Sequence, residues 1–158
     1  MRELYIKQKI FSVGEKFSVV DENERPQYFV SGSFMRVPKR FSITDSHNRE
    51  IGTITKKVIS WLPKFFVNVG NEEIVIAKEF TLFKPKYNIS THDLTVTGNW
   101  WDMNFTVSKY GKPIAEISQK WLSWGDSYAV TILDEEFEQI VVSLVIAIDR
   151  VKATSANY

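Results

Sequence analysis

His47 and His92 are the two histidines of the chain and its first candidates for acid–base chemistry. His47 lies in the polar stretch DSHNRE, and His92 lies in STHD beside Asp93. A histidine next to a carboxylate could act as a general base, but neither has HExxH or zinc-ligand spacing. We interpret both as turn or surface residues. With no G-x-S-x-G, GxGxxG or Walker motif, the sequence predicts no catalytic residue, no metal site and no cofactor.

Three glutamates, Glu135, Glu136 and Glu138, precede the most apolar stretch of the chain. Such acids could pair for acid–base chemistry or bind a cation. Their place at the start of a predicted helix gives a simpler explanation, because carboxylates there complement the helix dipole.

Lysines beside aromatic residues form the remaining candidate site. Cations attract anionic headgroups, and tryptophan favours the polar boundary of a membrane, so this combination suits a membrane interface. The competing and favoured interpretation is a set of solvated strand ends beside core aromatics. It gains support from the match between Ser60-Trp61 and Ser123-Trp124. The candidate anionic-ligand or membrane surface comprises Lys56, Lys57, Lys64, Lys84, Lys86 and Lys120.

Bulk composition is that of an ordinary globular chain. Its 158 residues, 44% hydrophobic and 25% charged, fit a single domain spanning 1–158. A net charge of +1 argues against nucleic-acid binding, and the absence of cysteine excludes disulfides and thiolate chemistry. No secretion signal or spanning segment is recognisable, so we expect a cytoplasmic protein that is not transmembrane, with peripheral membrane contact as an option.

Alternating apolar and polar residues dominate the chain. Short strands are separated by turn signals such as DENERP, DSHNRE, VGNEE and KYGKP, a pattern typical of an all-β sandwich or barrel.

The strand pattern also recurs in two halves of the chain. Val30-Ser-Gly-Ser-Phe34 parallels Val96-Thr-Gly-Asn-Trp100, and Glu50–Lys57 parallels Pro113–Lys120. The pattern predicts two copies of a β-meander in one sheet system.

The stretch EQIVVSLVIAIDR, residues 138–150, could be a doubly buried strand. Acids before it and Arg150 and Lys152 in its predicted last turn favour a helix over about residues 135–152. A helix that is apolar nearly all round must be enclosed. A β-barrel closed around it would satisfy both patterns.

Several segments along the whole chain resemble the LURP-one-related family, whose fold is the tubby-like barrel shared with phospholipid scramblases. The resemblance rests on Leu4–Ser12, Lys16–Asn23, Val96–Val107, Ile114–Trp121 and the segment from Asp126 through Val151. It implies a mainly β fold: a closed barrel of about twelve strands around a C-terminal hydrophobic helix.

For function, the superfamily resemblance implies less. Tubby domains bind phosphoinositide headgroups, but their headgroup residues have no positional match here. The scramblase calcium loop is absent as well. We therefore expect a non-enzymatic barrel that binds a ligand or partner, with an anionic lipid or membrane surface as one option. A structural or regulatory scaffold that contacts another protein is the alternative, and an enzyme of unrecognised type is a remote one.

Overall fold

Twelve antiparallel strands and one long helix make up the fold. The computed structural model describes residues 1–7, 16–33, 35, 37–59, 61–79, 82, 86–91, 93–122 and 125–155. The strands are β1 Arg2–Lys7, β2 Lys16–Asp21, β3 Pro26–Ser33, β4 Arg40–Asp45, β5 Glu50–Ile59, β6 Leu62–Val69, β7 Glu72–Glu79, β8 Lys86–Ser90, β9 Leu94–Asn99, β10 Asn104–Lys109, β11 Lys112–Leu122 and β12 Gly125–Ile132.

The strands form one sheet in the order β8-β7-β6-β5-β4-β3-β2-β1-β12-β11-β10-β9. Its end strands, β8 and β9, are consecutive in the chain and only a short connection separates them, so the sheet curls into a nearly closed barrel. In the described part of the chain no backbone ladder joins these two strands. Side chains bridge the seam instead: Lys109 lies 3.3 Å from Glu72, and Tyr87 stacks on Trp101 with centroids 5.4 Å apart.

The helix α1, Glu138–Ser155, follows a 3₁₀ turn at Glu135–Phe137. Asp134 caps that turn by accepting from the Glu136 N–H, as expected of a capping aspartate. Every residue from Val141 to Val151 is buried. Inward-facing residues of the strands complete the core around this helix. The predicted barrel with an enclosed helix is thus confirmed, and the helix extends three residues beyond its predicted end at 152.

One detail of the helix prediction is wrong. Arg150 does not lie in the last turn, because the helix continues to Ser155. It is buried and bonded to Asp149 at 2.8 Å. Its guanidinium also lies 5.1 Å from the ring centroid of Phe17 and 5.6 Å from that of Phe41. Burial raises the pKa of Asp149, an effect that Arg150 opposes. A charged pair inside the barrel is tolerated because each partner satisfies the other.

Close packing of the helix on the sheet depends on Gly52 of β5. A Cβ at that position would lie 2.9 Å from the Ser143 Oγ and 3.2 Å from the Asn68 carbonyl oxygen. The absent side chain therefore lets α1 approach the strand backbone more closely than an alanine would allow.

Candidate functional site

Charge is divided between the two ends of the barrel. Because adjacent strands run in opposite directions, alternate connections lie at the same end. We call the end where α1 begins the acidic end. Its connections and flanking residues carry the acids Asp21, Glu22, Glu24, Asp45, Glu50, Glu72, Glu73, Asp93, Asp134, Glu135, Glu136 and Glu138 against the bases Arg2, Arg25, Arg49, Lys109 and Lys112.

The opposite end, where α1 finishes, has the reverse balance, and we call it the basic end. Its strand termini, connections and helix residues carry Lys7, Lys16, Lys39, Arg40, Lys56, Lys57, Lys64, Lys78, Lys86, Lys120, Arg150 and Lys152 against Glu79, Asp102, Asp126 and Asp149. A net charge of +1 hides this separation, because the two ends nearly cancel.

The β5–β6 hairpin brings three of the predicted lysines together. Lys57 pairs with Lys64 across the two strands, and Lys56 pairs with Phe65 on the alternate face. Lys56 Nζ lies 5.9 Å from the centroid of the buried Phe65 ring, while Lys57 Nζ lies 5.2 Å from that of Phe66. These cation–π contacts keep the ammonium groups beside aromatic surface at the rim.

Like charges directly opposite each other on neighbouring strands are destabilising. Within the part of the chain that the structure describes, neither Lys57 nor Lys64 forms an ion pair with an acid. Folding therefore concentrates uncompensated positive charge at this hairpin at some cost in stability.

Exposed apolar side chains lie at the same rim. The β3–β4, β5–β6 and β7–β8 connections are neighbours there, because β3 to β8 are contiguous in the sheet. We call this part of the rim the basic arc. It is defined by the apolar residues Met35, Val37, Val58, Trp61 and Leu82 together with Lys39, Lys57 and Lys64.

The remaining predicted lysines are placed differently. Lys120 of β11 lies on the far side of the barrel from β6 and binds Glu3, a bond that raises the pKa of Lys120. Lys86 begins β8, next to the basic arc. Lys84 lies outside the described residues. The structure thus groups Lys56, Lys57 and Lys64 and separates them from Lys120.

The histidine candidates show no catalytic arrangement among the described residues. His47 is exposed in the β4–β5 turn, where its backbone N–H donates to Asp45 at 2.9 Å. His92 lies outside the described residues. Asp93 is 3.8 Å from Lys109 and accepts from the Tyr110 hydroxyl at 3.2 Å.

The three glutamates have separate roles. Glu135 and Glu136 are exposed at the helix start, as the dipole interpretation expects. Glu138 is buried instead, 3.2 Å from Arg2, and the Tyr28 hydroxyl donates to it. Burial and this carboxylate raise the pKa of Tyr28. No local signal in the sequence links residues so far apart, so sequence reasoning missed this cluster.

A polar cleft of about 550 Å³ opens beside that cluster at the acidic end, lined by Arg2, Glu3, Asp21, Glu22, Asn23, Arg25, Pro26 and Gln27. Arg25 lies 2.9 Å from Asp21 within it, and Gln27 accepts from Arg2. Arg2 and Glu3 bind Glu138 and Lys120 beside the cleft. Most of its charged groups are therefore paired, unlike Lys57 and Lys64.

Among the described residues, no helix has the length and apolarity needed to cross a bilayer.

Comparison with known proteins identifies a similar fold, a sequence relative and the family. A solved structure of a protein from Arabidopsis thaliana superposes with a TM-score of 0.56 at 13% identity, covering 94% of this chain and 91% of that one. That likeness shows the shared tubby-like fold. The uncharacterised protein YxjI of Bacillus subtilis is 33% identical over 152 residues, which cover 96% of this chain and 94% of YxjI. The LURP-one-related family model matches residues 2–149, and this chain belongs to that family.

Proposed function

We propose that this chain is a non-enzymatic binding protein of the cytoplasm whose basic arc contacts anionic lipid headgroups at a membrane surface. The observation that carries the proposal is the Lys57–Lys64 pair, in which two lysines without acidic partners among the described residues face each other across one hairpin. An anionic surface would relieve the repulsion that the folded protein retains.

The filled interior supports an external binding site. The buried face of nearly every strand packs on α1 or on its neighbours, and the helix itself is enclosed from Val141 to Val151. A ligand therefore has its access at the outer surface or at a rim, where the lysines lie.

We also infer that the barrel consists of two copies of one meander. Ile54 pairs with Val67 as Ile117 pairs with Val130, each partner being shifted by the same 63 residues. Gly32 and Gly98, both with positive φ, lie opposite Phe41 and Phe105, respectively. These equal registers support a repeat.

The repeat supplies an internal control for the lysine pair. The position equivalent to Lys57 is Lys120, and the one equivalent to Lys64 is Ser127. Because Lys120 binds Glu3, the second copy lacks the uncompensated pair. The lipid proposal thus applies to one half of the barrel and not to the other.

Vesicle co-sedimentation tests the proposal. The protein should bind vesicles containing phosphatidylserine at about 0.1 M salt and dissociate from them near 1 M salt. It should not bind vesicles of pure phosphatidylcholine. A surface lysine contributes about 1 kcal/mol to such binding. Replacing Lys57 and Lys64 together by glutamine should therefore weaken it roughly thirtyfold, whereas Lys120→Gln should have little effect.

Two outcomes would contradict the proposal. One is the absence of sedimentation with anionic vesicles at low salt. The other is equal loss of binding in the Lys120→Gln control. A stoichiometric protein partner isolated under conditions without vesicle binding would instead favour the scaffold function.

A further inference from the structure

We infer that the protein docks on the membrane with its basic end facing the lipid and inserts the apolar side chains of the basic arc among the headgroups. The inference deepens the proposed lipid-binding function and rests on it. It concerns the orientation of the barrel, which the charges of its two ends indicate, and the apolar part of the contact, which charge does not supply.

Exposure of the apolar residues is the first observation. Trp61 is 95% exposed, Val37 93%, Met35 86%, Leu82 80% and Val58 60%. The other exposed large hydrophobic residues of the described chain are Met1, Phe29, Tyr110 and Leu133, which are not on this arc. A clustered set of exposed apolar residues beside charged ones is characteristic of an interaction surface.

Trp61 is the clearest member because neither packing nor turn geometry accounts for it. It follows β5 and immediately precedes Leu62, which pairs with Ile59 at the hairpin tip. Its φ of 76° belongs to the left-handed region, where glycine or asparagine is favoured and a bulky side chain is uncommon. A tryptophan here is unfavourable for the turn and gains nothing from the core.

The chemistry of the surroundings identifies the occupant. Lys39, Lys57 and Lys64 lie in the same arc as Trp61 and Leu82. Tryptophan favours the headgroup level of a bilayer and lysine attracts anionic lipid, so this mixture matches a lipid surface. Two such arcs of separate copies would bring like charges together, which argues against a second copy as the occupant.

The division of charge fixes the orientation. An anionic surface attracts the basic end and repels the acidic end, with α1 running from one to the other inside the barrel. Met35, Trp61 and Leu82 would then meet the headgroups, while the turn containing Asn71 would face away from the membrane.

Site-specific labelling tests this orientation because the chain contains no cysteine. Met35→Cys and Leu82→Cys place a single thiol on the arc, and Asn71→Cys places the matched control at the acidic end; all three sites are exposed. Each is labelled with an environment-sensitive fluorophore and mixed with phosphatidylcholine–phosphatidylserine vesicles that contain brominated lipid. With vesicles that lack brominated lipid, the fluorescence of the labels at 35 and 82 should increase. With vesicles that contain it, their fluorescence should be quenched. The fluorescence of the label at 71 should not change in either case.

Trp61→Ala provides a second readout. Its vesicle affinity should fall roughly tenfold, in proportion to the apolar surface withdrawn from water, and this factor should be the same at every salt concentration at which the parent still binds. Its thermal stability should be unchanged, because the side chain is 95% exposed and alanine keeps the same Cβ at this positive φ.

The possible failures are distinguishable. If the protein does not sediment with anionic vesicles at all, the proposed function itself fails. If it sediments but the label at 71 responds as strongly as those at 35 and 82, or none responds, only the orientation is overturned. Concentration-dependent self-association that buries the label at 82 without vesicles would overturn it in favour of a second copy.

Discussion

Lys57 of β5 lies directly opposite Lys64 of β6, and no acid neutralises either of them in the described part of the chain. The equivalent pair in the other half of the barrel is Lys120 with Ser127, where Lys120 is bonded to Glu3. The two hairpins thus share a register but differ in charge. Lys109 and Lys112 also lie opposite each other in β10 and β11, but Lys109 binds Glu72. Of these three pairs, only Lys57–Lys64 joins two lysines that both lack an acidic partner in the described part of the chain.

Replacing Lys64 by glutamate should stabilise the protein while weakening its binding to anionic vesicles. The change turns a like-charge cross-strand pair into an opposite-charge one, an effect of about 0.2–1 kcal/mol. Urea unfolding and vesicle co-sedimentation measure the two effects. Lys120→Gln, which removes a compensated lysine, is the control. A Lys64→Glu variant that is less stable than the parent would show that the pair is not repulsive.

Gly52→Ala should destabilise the protein by roughly 1–3 kcal/mol, because the added Cβ would lie 2.9 Å from the Ser143 Oγ. Ser143→Ala should be neutral or stabilising, since that buried hydroxyl has no hydrogen-bond partner among the described residues.

The double variant Gly52→Ala with Ser143→Ala should recover much of the loss. A double-mutant cycle by chemical unfolding measures the coupling between the two positions. Strict additivity would indicate that the Asn68 carbonyl oxygen, 3.2 Å from a Cβ at position 52, and not Ser143, limits the space.

Charged substitutions inside the helix should abolish folding. Val142 and Leu144 are 1% and 0% exposed, so Val142→Asp or Leu144→Asp would place an unpaired carboxylate in the core. Leu144→Ala should cost about 2–5 kcal/mol and leave the fold intact. Circular dichroism and thermal unfolding distinguish the variants, and normal thermal stability in either aspartate variant would refute the enclosed helix.

Low pH should remove the contribution that the ionised Asp45 carboxylate makes to the stability of the folded protein. The Asp45 carboxylate accepts from the backbone N–H groups of Arg49 and His47 and from the Arg49 side chain, and the Arg49 backbone bond is the largest cause of its lowered pKa. A lowered folded-state pKa stabilises the protein above the unfolded value near 3.8, and the contribution disappears as pH falls through the folded value.

The stability difference between the parent and Asp45→Asn should therefore be constant from neutral pH to about pH 5 and shrink below about pH 4. Chemical unfolding as a function of pH measures it, with Ser46→Ala in the same turn as the control. A difference that grows towards acid would show that the sign of the Asp45 shift is wrong.

The turns that begin at Asp21 and Asp45 are recognisable in the sequence because they share a local pattern of residues. Asp21 and Asp45 each end a strand that contains Phe-Ser, and each accepts from the arginine four residues later at 2.9 and 3.0 Å, respectively. The chain is left-handed at Glu24 and Asn48, the residue before that arginine. Turn chemistry acts over a few residues, so its signal is contiguous.

Arg150 shows where local reasoning ends. The order of charges around α1 correctly indicates a helix, but it places Arg150 in the last turn and gives no sign of its burial. The guanidinium instead lies near Phe17 and Phe41, which belong to strands far away in the chain. The Arg2–Glu138–Tyr28 cluster was missed for the same reason.

The sequence by itself determined the strands and the enclosed helix, because alternation, all-round apolarity and turn residues are local patterns. The family was indicated separately, by the resemblance of several segments in their order along the chain. Only the tertiary structure decided which lysines meet an acid and which meet another lysine. Lys57 and Lys120 occupy matching positions in the sequence pattern, yet Lys57 meets Lys64 and Lys120 meets Glu3. The difference arises because β12 pairs with β1, which brings Glu3 to Lys120, and strand order is a long-range property that no short segment encodes.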